Sequence, residues 1–516
     1  MRWFAKVGLA VLSGLLIAAA WPVRGLAPLV FVAFVPLLYL EEKHYSFWIS
    51  SITFLIWNAL TTWWVWKTTA IGTIGMIALN TMFMTCIFWA YHFVKSRFYG
   101  NKKGYYLLII FVLAFEYLHL HWQLNWPWLN LGNVFSHYHT WVQWYSVTGI
   151  AGGTVWVLLA NVLVYKLLVN YKKLYVVYVL LVLFIPLIIS KIIYSCYDEQ
   201  GEPVEIVVVQ PNLDPYSEEF TLTPREIIER NLSVAEPLVT ENTRFVISPE
   251  SAIQENIWLE RIANSYSIRE LRRFLSWHPQ TCYVIGLSTN GLVPEGQEKD
   301  FAARRFANID KYFYSYNTAS LITLDSIQLY HKSKLTPGAE AMPSWWFMRM
   351  LRDSALDLGG TVGTLKKDTE ARTLSFDNHK VGTLICYESV FGEYVTEFVN
   401  NGADMLFVIT NDGWWGNSPG HKQHLEFSKL RAIETRRSVA RSANTGISGF
   451  INQRGDIIEK SNYWEQTALC NTLKTNDKLT FYVRYGDYLY KIAVFLTAML
   501  VAMTIVKLIL GKQWKH

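Results

Sequence analysis

Charged residues are scarce in this sequence. Asp, Glu, Lys and Arg make up only 17% of its 516 residues, whereas 52% are hydrophobic and 15% are aromatic. A soluble domain usually contains about 25% charged residues, so this composition excludes an ordinary soluble protein and favours one that is partly embedded in a membrane. The net charge of +6 comes from Lys and Arg residues that are dispersed or flank apolar segments, which argues against nucleic-acid binding.

Cysteine is also scarce, and none of it is spaced as CxxC. The chain contains Cys86, Cys196, Cys282, Cys386 and Cys470. An odd number of cysteines without paired spacing indicates neither a disulfide framework nor a zinc site. At least one thiol therefore stays free even if the others form pairs.

Long apolar segments fill the first 195 residues. A membrane span needs about 20 apolar residues, and the sequence predicts seven spans there and an eighth near the C-terminus. Their bounds are 5–21, 23–40, 46–66, 71–95, 104–121, 146–170, 173–195 and 486–510. The first span has the features of a signal peptide, but six more follow at once, so we interpret it as a retained anchor.

Basic residues predict the orientation of these spans. They are concentrated in alternate loops, and the cytoplasmic loops of membrane proteins carry the excess of Lys and Arg. These residues are Lys43, Lys95, Arg97, Lys102, Lys103, Lys172, Lys173, Lys512 and Lys515. We therefore expect both termini to be cytoplasmic and the segment between spans seven and eight to lie on the opposite face, which in a bacterium is the periplasm.

A segment rich in tryptophan, residues 121–145, lies on that same outer face. It carries almost no charge, and indole rings of this kind settle at the level of the lipid headgroups. Four histidines in or beside it are paired in spacing: His119, His121, His137 and His139. A metal site is one interpretation of this spacing; hydrogen bonding to lipid or water is the interpretation we prefer.

Residues 203–480 alternate short β-rich runs with helical patterns. The runs lie at 204–209, 244–247, 282–286, 319–324, 380–385 and 403–409, and the helical patterns at 224–238 and 421–440. This predicts an α/β domain whose strand ends present functional groups. We expect Trp414 and Trp415 to pack in the core or against the membrane, and His421 and His424 to lie on a helix surface.

Three predicted strands are followed by groups that can perform acyl chemistry together. Glu250, Lys332 and Cys386 each lie just past the end of one of these strands. A thiol with a pKa of about 8.5 is mostly protonated at neutral pH, so Cys386 needs a base, for which Glu250 is the candidate. Lys332 can stabilise a thiolate or an oxyanion. Lys334 is a rival for this role, because alternate residues of an extended segment share a face.

The local sequences around these residues resemble those of the nitrilase superfamily. Its members carry a Glu, a Lys and a Cys in this order within Pro-Glu, Tyr-x-Lys-x-x-Leu and Cys-Tyr-Glu, and all three motifs are present here. The whole chain also resembles the apolipoprotein N-acyltransferase family, on residues 126–132, 410–416, 423–424, 431–434 and 443–446. One departure is the loop 336–340, which reads Thr-Pro-Gly-Ala-Glu where the family usually has Pro-Phe-Gly-Glu.

The resemblance implies a fold and roles for individual residues. A nitrilase-like α-β-β-α sandwich at 203–480 would be inserted between span seven and span eight. Glu250 would be the general base, Lys332 the oxyanion-stabilising lysine and Cys386 the nucleophile. Glu340 would be the second glutamate of the family, with Tyr387 and Glu388 in supporting positions.

The resemblance also implies a reaction without cofactor or metal. A fatty acyl chain would leave the sn-1 position of a phospholipid, form a thioester on Cys386, and pass to the α-amine of an N-terminal diacylglyceryl-cysteine on a bacterial apolipoprotein. One copy of the chain is expected to suffice. Two alternatives stay open at this point: a membrane-anchored amidase or nitrilase that uses the same three residues, and a transporter or receptor without catalysis.

Overall fold

The computed structural model describes residues 1–21, 23, 25–100, 102–218, 221–341 and 364–509. It divides into two compact units. The first, here called the helical unit, contains Met1–Tyr197 and the chain from Tyr485 onward, and the second, the sheet unit, contains Asp198–Arg484. Lys512 and Lys515, which contribute to the predicted orientation, lie outside the described residues.

The α-helices of the described residues are numbered in chain order. They are α1 Trp3–Ala20, α2 Val35–His44, α3 Phe47–Thr62, α4 Ala70–Phe98, α5 Leu107–His121, α6 Tyr145–Val169, α7 Lys173–Cys196, α8 Pro224–Ala235, α9 Tyr266–Trp277, α10 Gly392–Asn400, α11 Pro419–Thr435, α12 Phe481–Tyr485 and α13 Tyr488–Ile509. Within the described residues, five of them (α1, α4, α6, α7 and α13) are long and apolar enough to cross a membrane, and α5 is a shorter apolar helix.

The predicted second and third spans differ from this pattern. Residues 23–40 form a 3-10 turn at Ala27–Phe31 and then the ten-residue α2. Pro28 and Pro36 explain the break, because a proline has no N–H to donate and therefore begins helices rather than continuing them. The third predicted span is the 16-residue α3 followed by a 3-10 turn at Trp63–Lys67. The count of eight spans remains a prediction.

Two buried carboxylates of the helical unit, Glu41 and Glu116, are held by ion pairs or hydrogen bonds. Glu41 of α2 forms an ion pair with Lys95 of α4 and lies 2.7 Å from Nδ1 of His92. Glu116 of α5 accepts hydrogen bonds from the Leu131 N–H at 2.7 Å and from the hydroxyls of Thr154 and Tyr490. These bonds tie the end of α5 to the tryptophan-rich segment, α6 and α13, so a packing role accounts for the carboxylate.

The sheet unit contains two sheets, and their strands are numbered in chain order. They are β1 Pro203–Gln210, β2 Thr243–Ile247, β3 Ile253–Trp258, β4 Cys282–Leu292, β5 Arg304–Arg305, β6 Tyr312–Ile322, β7 Ile327–His331, β8 Leu374–Phe376, β9 His379–Ile385, β10 Met405–Thr410, β11 Val439–Ala443, β12 Gly449–Ile451, β13 Ile457–Lys460 and β14 Thr467–Lys474. The first sheet has the order β14-β1-β2-β4-β6-β5, with β3 beside β4 and β7 beside β6. The second has the order β13-β12-β11-β10-β9-β8.

The two sheets pack face to face between helices. Phe245 of β2 lies 5.1 Å from Phe407 of β10 between ring centroids, which joins the inner faces of the sheets. On the outer face of the first sheet, α8 and α9 bury a core that includes Ile228 and Ile268. On the second sheet, Gly382 of β9 admits close packing of α10, since a Cβ there would lie 2.9 Å from that of Phe398. The α/β prediction is confirmed; the insertion between span seven and span eight remains a prediction.

Candidate active site

Glu250 lies just beyond the end of β2, a central strand of the first sheet. Its carboxylate is 7% exposed, and Oε1 accepts hydrogen bonds from the Asn317 amide at 2.8 Å and the Lys332 ammonium at 2.9 Å. Oε2 accepts from the backbone N–H of Asn411 at 3.1 Å. Gly286 of β4 makes room for this turn, because a Cβ there would lie only 2.7 Å from Cα of Glu250. The carboxylate is therefore fixed on both oxygens.

Lys332 follows β7 and is 1% exposed. Its ammonium lies 2.9 Å from Oε1 of Glu250 and 2.9 Å from Oε1 of Glu340. Burial alone would lower the pKa of Lys332, but the two carboxylates outweigh it and raise that pKa well above its ordinary value. The side chain is therefore a permanent cation at neutral pH, suited to stabilising negative charge rather than to accepting a proton.

Lys334 does not share this position. Its ammonium lies over the ring of Tyr394, 4.9 Å from the centroid, and over that of Phe391 at 5.6 Å. Burial lowers the pKa of Lys334. Of the two lysines considered from the sequence, Lys332 is the one that the structure brings to Glu250.

Glu340 reaches Lys332 although its loop departs from the family sequence. The loop turns at Gly338, where φ is +81°, and Oε2 of Glu340 accepts a hydrogen bond from the Thr336 N–H at 2.9 Å. Asn317 donates to both glutamates, at 2.8 Å to Glu250 and 3.0 Å to Glu340. Burial favours the neutral form of Glu340, but Lys332 outweighs it and lowers its pKa. Lys332 therefore lies between two carboxylates, of which Glu340 is held in its ionised form.

Cys386 follows β9, which lies beside β10 in the second sheet. Its backbone has a φ of +50°, a left-handed conformation that is unfavourable for a residue with a side chain. Burial raises the pKa of the Cys386 thiol well above its ordinary value; the charge of Glu250 adds to this, while Lys332 opposes it. The resting thiol is protonated, so an attack by sulfur requires a base.

Glu388 fastens the loops that carry Cys386 and Lys332. Its Oε1 accepts hydrogen bonds from the Tyr330 hydroxyl at 2.6 Å and the Ser333 N–H at 2.7 Å, and its Oε2 accepts one from the Ile385 N–H at 2.8 Å. Burial raises the pKa of Glu388 to about 7 in spite of these donors. Tyr387, which precedes Glu388, is also buried. The supporting roles of Glu388 and Tyr387 remain predictions.

Several polar contacts of the site were not expected from the sequence. Asn317 and Asn411 hydrogen-bond Glu250, and His424 lies 3.1 Å from the backbone oxygen of Cys386. The expectation that His421 and His424 lie on a helix surface was wrong, since both are fully buried. Almost every residue of α11 is buried, so the polar residues in its sequence do not correspond to a solvent-exposed face. The Gln-His pair at 423–424, already part of the family resemblance, was the available signal.

Cys386, Asp412 and His424 have potential metal ligands within 4.8 Å of one another. Their hydrogen bonds do not fit a resident metal ion. Nδ1 of His424 lies 2.9 Å from Oδ1 of Asp412, and the guanidinium of Arg441 pairs with the same carboxylate. A cation therefore already neutralises Asp412. We interpret the group as a hydrogen-bond network.

The raised pKa of Cys386 predicts the pH dependence of its alkylation. Because the thiolate is the reactive form, alkylation by iodoacetamide should be slow at pH 7 and should still increase above pH about 8.5, where an ordinary thiol is half ionised. The measurement is mass-spectrometric labelling of Cys386 against pH, with a short cysteine peptide as the reference. If the alkylation rate levelled off at a lower pH than that of the peptide, the effect of Lys332 on the thiol pKa would outweigh that of burial. That result would contradict the raised pKa of Cys386.

Two family models match the chain. The model for the apolipoprotein N-acyltransferase N-terminal domain matches residues 13–163, and the carbon-nitrogen hydrolase model matches residues 299–477, which include Lys332 and Cys386. Three similar proteins are named apolipoprotein N-acyltransferase. The one from Chlorobaculum tepidum is 29% identical over 93% of this chain and 92% of its own length, and the one from Geobacter metallireducens is 27% identical over 93% of this chain and 91% of its own length. The one from Thermotoga maritima is 26% identical over 96% of this chain and 93% of its own length. With both family domains in one chain and such relatives along nearly its whole length, the chain belongs to the apolipoprotein N-acyltransferase family.

Proposed function

We propose that the protein transfers a fatty acyl chain from the sn-1 position of a phospholipid, through a thioester on Cys386, to the free α-amine of the N-terminal diacylglyceryl-cysteine of bacterial apolipoproteins. The observation that carries this proposal is the buried Glu250–Lys332 ion pair, whose charges act on the partly buried thiol of Cys386. Family membership and the apolar helices of the helical unit support a substrate held in a membrane.

In the first half-reaction Glu250 removes the proton from the Cys386 thiol, and the sulfur attacks the carbonyl carbon of the sn-1 ester. The resulting oxyanion is stabilised by the Lys332 ammonium and by the backbone N–H of Tyr387; one such donor contributes about 3 kcal/mol. When the intermediate collapses, the bond to the glyceryl oxygen breaks. That oxygen takes the proton from Glu250, which releases a lysophospholipid and leaves the acyl thioester.

In the second half-reaction the α-ammonium of the acceptor loses a proton to Glu250. The free amine attacks the thioester carbonyl, and the same donors stabilise the second oxyanion. The nitrogen releases its remaining surplus proton to water, the carbon–sulfur bond breaks and leaves an amide on the acceptor, and Cys386 regains its proton from Glu250. Because the donor product leaves before the acceptor reacts, the kinetics are ping-pong.

Glu340 has a supporting role in both halves. If Glu250 were the only carboxylate beside Lys332, the ammonium could pass its proton to Glu250 while negative charge shifts between the groups of the site. A second ionised carboxylate 2.9 Å away keeps the ammonium charged, and Asn317 holds both carboxylates at their distance from it. Glu250 is thereby left as the group that exchanges protons with sulfur, alcohol and amine.

The same proposal includes the location of the protein. We place it in the bacterial inner membrane, as a monomer with eight spans, both termini in the cytoplasm and the sheet unit in the periplasm. The excess of Lys and Arg in alternate loops supports this orientation.

Labelling of single introduced cysteines tests the orientation. With Cys196 replaced by serine, Glu298→Cys in an exposed loop of the sheet unit should react in intact cells with a maleimide that crosses the outer membrane but not the inner one. Lys172→Cys, equally exposed between α6 and α7, should react only after the cells are lysed. The reverse pattern would contradict a periplasmic sheet unit.

The reaction is tested by varying the acyl chain of the donor that carries the tag and the amino group of the acceptor. Purified protein is incubated with a phospholipid tagged on either the sn-1 or the sn-2 chain, together with a diacylglyceryl-cysteine peptide. We expect the sn-1 tag to appear on the peptide's α-amine and an N-acetylated control peptide to remain unmodified. Release of the tag as free fatty acid, equally with either peptide, would instead identify a hydrolase.

A further inference from the structure

His424 and Ser389 converge on one backbone atom of the nucleophile. His424 lies on α11 and is fully buried, with Nε2 3.1 Å from the carbonyl oxygen of Cys386. The hydroxyl of Ser389 donates to that same oxygen at 2.8 Å and lies 2.8 Å from Nε2 of His424. The peptide that follows the reactive thiol is therefore held by two side chains.

His424 is itself held by a buried carboxylate. Nδ1 lies 2.9 Å from Oδ1 of Asp412, which also accepts a hydrogen bond from the Thr410 hydroxyl at 2.7 Å and pairs with Arg441. Burial would raise the pKa of Asp412, but Arg441 and His424 outweigh it and keep that pKa below its ordinary value, so the carboxylate stays ionised. Burial lowers the pKa of His424, so the neutral ring carries a single proton. The Arg441 guanidinium, which pairs with Asp412, lies 3.0 Å from Nδ1 and can donate to it, which leaves the proton on Nε2 for donation to the Cys386 carbonyl oxygen.

The backbone of Cys386 needs such support. Its φ of +50° places a residue with a side chain in the left-handed region, and a strained conformation of this kind persists only where its surroundings fix it. If the peptide relaxed to an extended conformation, Cβ and Sγ would be redirected away from Glu250 and Lys332. A displacement of about 1 Å at a reacting atom can slow a reaction by about 100-fold.

We propose that His424, held by Asp412, is a positioning residue that keeps the Cys386 peptide in its strained conformation and so aims the thiol at the base and at the substrate carbonyl. The inference rests on the proposed function for its acylation step. In this role His424 acts on the backbone of the nucleophile and transfers no proton.

The test compares His424→Ala and His424→Gln with matched variants of His421. His421 lies three residues earlier on α11, is equally buried and stacks on Tyr463 at 4.1 Å. The glutamine amide can place a donor near the position of Nε2. We measure the single-turnover rate of thioester formation against phospholipid concentration, and the rate of Cys386 alkylation by iodoacetamide.

His424→Ala should lower the maximal acylation rate by about 10- to 100-fold, with the half-saturating phospholipid concentration unchanged. His424→Gln should recover most of that rate, and His421→Gln should stay within about twofold of the original protein. The proposal is overturned if His424→Ala keeps its rate, if its loss lies in the half-saturating concentration, or if the matched His421 variant loses as much.

Two further comparisons apply if His424→Ala does not fold or if the original protein forms no thioester. If His424→Ala does not fold, Asp412→Asn and His424→Gln replace it; an unchanged acylation rate in Asp412→Asn overturns the proposal. If the original protein forms no thioester from phospholipid, the proposed function fails, and alkylation still tests positioning. In that case, slower Cys386 labelling in His424→Ala than in His421→Ala supports the inference, and equal labelling overturns it.

Discussion

Replacing Cys386 by alanine is expected to abolish both half-reactions, lowering acyl transfer by at least about 10⁴-fold while leaving the fold intact. Sulfur forms the only covalent bond to the acyl chain in the proposed path, so no other group can take over its role. The contacts of Ser389 and His424 with the left-handed turn are made to the backbone oxygen of Cys386, which the alanine variant keeps. Transfer of a tagged sn-1 chain measures the effect.

The control for this variant is Cys470→Ala. Cys470 is a partly buried cysteine on β14, at one edge of the first sheet. Its removal should leave transfer within about twofold, since replacements away from the reacting groups have small effects. Transfer by Cys386→Ala at a tenth or more of the original rate would refute the assignment of the nucleophile.

Replacing Lys332 by methionine should have the second largest effect, and it should act on rate and stability together. Thioester formation should fall by about 10²- to 10³-fold, because the oxyanion loses a fixed cation. The free energy of unfolding should also fall by about 3–5 kcal/mol, since Glu250 and Glu340 would be left as buried charges without a partner. The two effects are separated by single-turnover acylation and by thermal unfolding.

The stability loss of Lys332→Met should depend on pH. Without the ammonium, burial is no longer outweighed at Glu340, so the pKa of that carboxyl in the folded state rises above its unfolded value. The loss of unfolding free energy is therefore small below pH about 4.3, the ordinary pKa of a glutamate. It grows as the pH rises through the pKa that the carboxyl has in the folded variant. Adding Glu340→Gln to Lys332→Met should recover stability without recovering the acylation rate.

Lys334→Met is the matched control for Lys332. Its ammonium contacts the Tyr394 ring, a contact worth about 0.5–1 kcal/mol, so the control should lose little stability and little rate. If the two methionine variants were equally active, the role of Lys332 would have to be abandoned.

The sequence predicted the candidate residues from two kinds of signal. Glu250 and Cys386 follow strands that the apolar runs 244–247 and 380–385 marked. Lys332 follows β7, which lies outside the β-rich runs predicted from the sequence, and the motif Tyr-x-Lys-x-x-Leu was its signal. Glu340 was expected from its spacing to Lys332, and it reaches the ammonium although its loop differs from the family sequence. Their roles in catalysis remain predictions.

Contacts between distant segments were harder to predict. Asn317 lies within β6 and carries no motif, and His424 lies on a helix whose polar residues are buried by internal partners such as the Arg431–Glu434 pair. A polar sequence normally predicts a solvent-exposed face, so α11 was misjudged. Likewise, Glu41 and Lys95 are far apart in the chain, and no local pattern predicts their pairing.

Isolation of the acyl-enzyme shows whether Cys386 carries the acyl chain during transfer. The purified protein is incubated, without acceptor, with a phospholipid tagged on its sn-1 chain; hydroxylamine-labile label is mapped by mass spectrometry, and a diacylglyceryl-cysteine peptide is then added. We expect label on Cys386 that moves to the peptide's α-amine at the rate of overall transfer. Label that never appears on Cys386 while transfer proceeds, or that is lost only to water, would contradict it.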